Sequence, residues 1–304
     1  MGDVIDELLA RDDVGTNDPA SLSDIDAVLR YFDAPLPELL VKFWRASDGV
    51  TLEQLDAHLL GPTEVRQLLA DGTWNEELVE RGFVPVLDDH QSNYLVVIVR
   101  DPLAFRVAHV SHEGDSRLLY RDFESCASDL LRVVDLEDSA DMYLHDAEGD
   151  YAPDAPRLEE DQYAARELLR TPGEQEEWDY AVQLMDASNL PEWAKLLETD
   201  HFIRQVARAR MQKMSSPAIR ELLRNQEAAF EEFATLAADA ARQARLEVRR
   251  REGDMLLVGS AWMNLRTFFH RRNIPNAVPR MIAWLEDNDA GRNPRHRPGH
   301  FMAD

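Results

Sequence analysis

Between Pro217 and Gly253 the chain runs 35 residues with neither proline nor glycine. Ser216-Pro217 stands in front, a capping residue followed by a proline suited to the first helical turn. Ile219, Leu223, Gln226, Phe230, Phe233, Ala237, Ala240 and Ala244 then step by four and three in alternation. That spacing places them on one seam of a helix. Leu222, Ala229 and Leu236 widen the stripe, which favours a bundle over a two-stranded coil. The spacing predicts one helix to about Glu252, roughly 55 Å long at 1.5 Å per residue. Its alanine end lets another helix approach closely. Arg245, Arg249, Arg250 and Arg251 sit where they would suit the negative end of a helix dipole.

The sequence around this helix also reads as helical. Tyr163, Arg166, Glu167, Leu168 and Leu169 fit one helix, closed by Pro172-Gly173. Trp178, Val182, Leu184 and Met185 fit another. Leu190-Pro191 opens a third, and Phe202, Ile203, Val206 and Met211 mark a fourth. Met255 to Phe269 is rich in large apolar residues and is read as a buried helix. Pro279 to Leu285 makes a last short one. Gly291 to His300 is rich in Gly, Pro and Arg without periodicity, a flexible basic tail.

The first half has a different character. Ser21-Leu-Ser-Asp24 fits a capping box ahead of Ile25, Val28, Leu29 and Phe32. Leu36-Pro37-Glu38 starts a second helix carrying Leu39, Leu40, Phe43 and Trp44, and Asp48-Gly49 closes it. Pro62 opens a third helix through Leu69. Then come four strand signals: Phe83 to Leu87, Tyr94 to Val99, Phe105 to Val110 and Arg117 to Tyr120. Turn chemistry separates them at Asp88 to Asn93, Asp101-Pro102 and Glu113-Gly-Asp115. Phe123 to Val133 is a closing helix. The expected fold class is an α+β N-terminal domain, an antiparallel meander flanked by helices, followed by an all-α helical-bundle domain with one long helix.

Charge divides the chain unevenly. Asp and Glu number 58 and Lys and Arg 33, a net of −25. Residues 1–155 carry −23 of that and residues 156–304 only −2. Residues 135–161 hold eleven acids and one base, with Gly149, Pro153 and Pro156 among them, and read as a solvated linker. The expected organisation is a domain over 1–134, the linker 135–161, a helical domain over 162–290 and the tail 291–304. Such a field repels phosphate backbones and anionic membrane surfaces, so nucleic acid and membrane are disfavoured as partners. A basic protein is the natural electrostatic partner. The longest apolar run, Leu95 to Val99, is too short to span a bilayer. One cysteine, an acidic start without an apolar core, and no membrane span give the expectation of a cytoplasmic protein.

Leu36-Pro37 with its aromatic-rich helix and Asp48-Gly49 resembles the opening motif of the SUKH superfamily. That superfamily comprises the yeast Smi/Knr cell-wall regulators and many bacterial immunity proteins. Phe83 to Asp88, then Ser92-Asn93-Tyr94 and an apolar strand, is similar to the family's central hairpin. The helix around Phe123 to Leu131 looks like its closing helix. The likeness covers about residues 20–134. It implies a binding domain, most often one that neutralises a toxin domain, and it implies no catalytic residue.

The remaining chemistry is sparse. Asp88-Asp89-His90 is contiguous and sits in a turn, and His109, His112 and Glu113 do not match the helical H-E-x-x-H spacing, so neither is expected to hold a metal. Cys126 falls on an amphipathic helix and reads as a buried structural thiol. No phosphate loop, nucleophile elbow or paired-cysteine motif is present, and no cofactor is expected. The expectation is a non-enzymatic binding protein that occludes a basic toxin domain, such as a nuclease. Its contact residues are expected among the exposed acids of the turns: Asp48, Asp88, Asp89, Glu113 and Asp115. The rival reading is a scaffold or regulatory subunit whose helical half recruits a partner or forms a homodimer through the alanine seam. An enzyme with an unrecognised site in the helical half ranks third.

Overall fold

In the computed structural model, residues 4–70, 75–111, 116–135, 158–170, 175–199, 201–259, 261–269 and 274–289 are described. The chain divides into two compact units, Met1–Met185 and Asp186–Asp304. The described fold is mixed: a seven-stranded antiparallel sheet with helices in the first unit, and mostly helices in the second.

The first unit begins with α1 (Val4–Leu9), β1 (Gly15–Thr16), α2 (Leu22–Phe32) and α3 (Glu38–Ala46). Ser21 caps α2 as its sequence predicts, accepting from the Asp24 N–H. Next come β2 (Val50–Leu52), β3 (Ala57–Leu59), α4 (Pro62–Ala70) and α5 (Asn75–Arg81). The meander continues as β4 (Phe83–Asp88), β5 (Tyr94–Ile98), β6 (Val107–Val110) and β7 (Ser116–Tyr120). All seven strands pair antiparallel in sequence order, so β1 and β7 form the two edges. The four strands expected from sequence are its β4 to β7 half, and the short strands β1 to β3 extend it. α6 (Phe123–Asp135) follows. Trp44 and Phe43 of α3 and Phe123 of α6 are almost fully buried, with Phe43 and Phe123 ring centroids 6.3 Å apart. The Trp44 indole N–H donates to the Leu60 carbonyl at 2.9 Å, which satisfies its one polar atom inside the core.

Two further helices, α7 (Glu159–Arg170) and α8 (Gln175–Leu184), belong to this unit, not to the second. This corrects the expected boundary. The physical reason is a set of polar ties to the sheet. Asp161, counted from sequence as part of a solvated linker, is only 1% exposed. Its Oδ1 accepts from Arg106 Nη2 at 2.7 Å and Nε at 3.1 Å. Arg121 Nε lies 3.3 Å from its Oδ2. Gln183 presents its side-chain amide to edge strand β7, accepting from the Leu118 N–H at 2.8 Å and donating to the Leu118 carbonyl at 3.2 Å. The amide thus stands in for the next strand. Tyr180 and Ser116 share a hydroxyl contact beside it. Of the expected linker, residues 136–157 lie outside the described residues, as does the tail 291–304.

The second unit holds α9 (Leu190–Leu196), α10 (His201–Lys213) and α11 (Pro217–Gln243), then β8 (Val248–Glu252), β9 (Met255–Val258), β10 (Ala261–Asn264) and α12 (Ile274–Asp289). Ser216 caps α11 with Pro217 inside the first turn, as expected. The heptad seam holds in part: Ile219, Gln226, Phe230, Phe233 and Ala237 are buried, Leu223, Ala240 and Ala244 only partly so, and Ala234 and Ala241 are buried beside them. Gln226 fits there because its amide donates to the Leu197 carbonyl at 3.2 Å.

Two expectations fail here. The long helix stops at Gln243, nine residues early, and Met255 to Phe269 is mostly strand, so the unit is not all-α. Arg245 takes the left-handed conformation (φ 63°). The Leu246 N–H bonds to the Ala241 carbonyl and the Arg245 N–H to that of Arg242, each at 3.0 Å. That is the Schellman pattern, with arginine where glycine is usual. Beyond it a three-stranded antiparallel sheet forms in the order β10-β9-β8. The turns between its strands use Gly253 (φ 55°) and Gly259 (φ 57°), residues that tolerate positive φ without steric cost. Ala237 of the seam and Ala241 beside it join Phe230, Leu256, Val258, Met263 and Met281 in one cluster within the unit.

Candidate functional site

Asp48 is the first of the five acids expected at a partner surface. It follows α3 and is partly buried. Its Oδ1 accepts from the Thr63 N–H at 3.2 Å and its Oδ2 from the Thr63 hydroxyl at 2.6 Å. It therefore caps α4 from a distance in sequence. Beside it Glu64 accepts from the Gly61 N–H at 3.2 Å, half of a capping box, and meets His58 Nε2 at 2.8 Å. Burial works to raise the Glu64 pKa, but the hydrogen bonds from His58 and Gly61 outweigh it and hold the carboxyl below its ordinary value. Gly49 is required in this corner. Its φ is 98°, and a Cβ there would sit 2.9 Å from His58 Nε2 and 3.0 Å from Glu64 Oε2.

Asp89 is only 2% exposed, which removes it as a contact residue. It organises the β4–β5 turn, accepting from the N–H groups of Gln91 at 2.8 Å and Asn93 at 3.0 Å, and from the Asn93 side chain at 2.6 Å. Asp88 is partly exposed and accepts from the His90 N–H at 2.8 Å. Burial, followed by the negative charges of Asp88 and Asp89, pushes the Tyr94 phenol above its ordinary pKa. Glu113 and Asp115 lie outside the described residues. Thus the turn acids expected at the surface act largely in local folding, because Asp in a turn is most useful to its own backbone.

Other acids of the first unit do stand in solvent. Asp12, Glu53 and Asp56 are exposed. Strand β1 pairs with β2 so that Gly15 faces Thr51. Asp12 lies in the turn ahead of β1, and Glu53 directly follows β2. Asp56 follows on the short helical turn between β2 and β3, in the left-handed conformation at φ 49°. These three residues carried no motif, and their exposure is what sets them apart from Asp48 and Asp89. With the boundary at Met185, the first unit contains 42 acids and 14 bases, a net of −28. The second contains 16 acids and 19 bases, a net of +3.

The second unit concentrates arginine on the β8 hairpin. Arg251 makes a two-pronged bond to Glu231 at 2.7 and 2.6 Å, and Glu231 is held below its ordinary pKa by that partner. Arg266 bonds to Asp254 at 2.6 Å and to both Glu227 oxygens at 3.0 and 2.9 Å, with its guanidinium 3.9 Å from the Phe230 ring centre. These two are fixed in place. Arg242, Arg249 and Arg250 differ: their side chains are 60%, 52% and 60% exposed, with surface partners Asp239, Glu247 and Glu252. Exposed pairs of this kind contribute about 0–1 kcal/mol, so those guanidiniums stay open to competition.

Cys126 is fully buried, and burial pushes its thiol far above the range in which it would be a nucleophile. Among the described residues no group of three or more His, Cys, Asp or Glu is placed to hold a metal. Among them too, no helix is long and apolar enough to cross a membrane. The chain matches no protein-family model and no curated protein.

Proposed function

We propose that this chain is a non-enzymatic binding protein of the immunity type, whose acidic α+β unit occludes a basic toxin domain. The observation that carries the reading is the charge partition: −28 on the sheet-bearing unit against +3 on the other. A net charge of that size on one compact unit draws a cationic partner and speeds encounter. The SUKH-like motifs at Leu36-Pro37, Asp48-Gly49 and Phe83 to Asp88 point to the same class of binder. The contact face includes the exposed acids Asp12, Glu53 and Asp56, in place of Asp48 and Asp89. The mechanism is steric: the toxin's basic substrate-binding face is covered, with charge setting association and shape setting release. Co-expression tests it. A basic toxin domain encoded beside this chain's gene should arrest growth alone and be tolerated with the full chain. The triple variant Asp12→Asn, Glu53→Gln, Asp56→Asn should protect less. Equal protection by the variant would remove this face from the account, and absence of any protection would remove the immunity reading.

The rival scaffold reading rests on the open arginines of the second unit. A protein with a −28 unit and a separate arginine-fringed hairpin can hold a basic and an acidic partner at once.

A further inference from the structure

Strand β8 is an edge strand, and among the described residues its only ladder partner is β9. It reads Val-Arg-Arg-Arg-Glu. A groove of about 260 Å³ runs between it and α11. One wall is Ala234, Thr235 and Ala238 of α11 with the ion pair of Asp239 and Arg242 beside them, and the other carries Arg249, Arg250 and Arg251. The small side chains let a foreign backbone come close to the helix. The register with β9 shifts at Arg249, and along Arg250 to Glu252 the outer side of the strand has no ladder partner among the described residues, a template for another strand. Arg250 and Arg251 lie over rings on different elements, Trp262 of β10 and Phe230 of α11. Their guanidiniums are thereby braced against those rings.

We propose that this groove takes an extended acidic segment of another protein, which adds to the sheet alongside β8. Backbone bonding along the edge supplies affinity, and carboxylates at alternate positions meet Arg249 and Arg242. The acid partners those arginines already have are exposed and weakly held, so an incoming carboxylate displaces them at little cost. A nucleic acid is the poorer occupant, because its backbone has no alternating N–H and C=O groups to pair with a strand edge. This site is independent of the acidic face proposed above.

The test is fluorescence anisotropy with the full chain and three labelled probes. One is a ten-residue peptide alternating Glu with Val, the second the same peptide with Pro in place of Val, and the third a ten-nucleotide single strand of DNA. The first should bind, and the proline copy about tenfold more weakly or worse, since proline cannot donate to a ladder. Thr235→Trp, which fills the groove from an exposed position, should abolish binding. Arg242→Ala with Arg249→Ala should weaken it about tenfold and flatten its salt dependence. Unchanged thermal melting of these surface variants confirms that they fold. No binding, equal binding of the two peptides, DNA binding as tight as the peptide, or indifference to Thr235→Trp would each overturn the proposal. So would self-association of the chain that Thr235→Trp removes, which would make a second copy the occupant.

Discussion

Strands β7 and β8 are both sheet edges, and the chain treats them in opposite ways. At β7 the Gln183 amide binds the Leu118 N–H and carbonyl, and α8 lies over the edge. At β8 the edge carries three consecutive arginines and borders a groove. An exposed edge invites pairing, and proteins close it or fringe it with charge. The difference teaches where intermolecular pairing is prevented by the fold and where it is only moderated by charge.

Four substitutions can break or sharpen that comparison. The largest effect is expected from Asp161→Ala. It leaves the buried Arg106 guanidinium without its main partner, at a cost of about 3–5 kcal/mol in denaturant unfolding. A loss below about 1 kcal/mol would mean that α7 is not tied to the sheet by this pair. Gln183→Leu comes next. It strands the Leu118 N–H and carbonyl and should cost about 1–3 kcal/mol, with new concentration-dependent association seen in sedimentation. Stability loss without association would separate the packing role of Gln183 from its edge-closing role. Arg245→Gly acts in the other direction. It relieves a left-handed arginine and should stabilise the second unit by about 0.5–1 kcal/mol, raising its melting temperature. Arg249→Ala is the smallest, within about 0.5 kcal/mol, because its pair with Glu247 is exposed. Together the four state that β7 is built into the fold and that β8 is not.

The acid response gives a further check on the first unit. The Glu64 carboxyl is held below its ordinary value of 4.5, so its contribution to stability is present above that pH and lost as pH falls through the lowered value. Glu64→Gln should therefore flatten the loss of stability below about pH 4.5 in a pH-dependent melt.

The parts legible in the sequence were those written in local signals. Ser21 and Ser216 caps, the strands around Tyr94 to Val99, the closing helix at Phe123 and the seam from Ile219 to Ala237 all follow from neighbours a few residues apart. Strands β1 to β3 are two or three residues long and leave no periodicity to read. The boundary was misplaced because Asp161 stands among ten other acids, and nothing local distinguishes the one that pairs with Arg106, 55 positions away. The β8–β10 hairpins carried a usable signal in the sequence: Gly253-Asp254 and Gly259-Ser260 are dipeptides of the kind that favours a hairpin turn beginning with glycine. The apolar run from Met255 to Phe269 outweighed them, and an arginine at the left-handed cap concealed where the helix stops. At the candidate site, acids in turns drew attention because they were grouped. Grouping in a turn is what makes them serve their own backbone.

The central claim is that the acidic unit grips a basic partner through its charged surface. Titration calorimetry of the full chain with a candidate basic toxin domain, at a series of salt concentrations, tests it most directly. The account predicts affinity that falls steadily with salt, and a shallower fall for the Asp12→Asn, Glu53→Gln, Asp56→Asn variant. Binding indifferent to salt and to those three substitutions would contradict it.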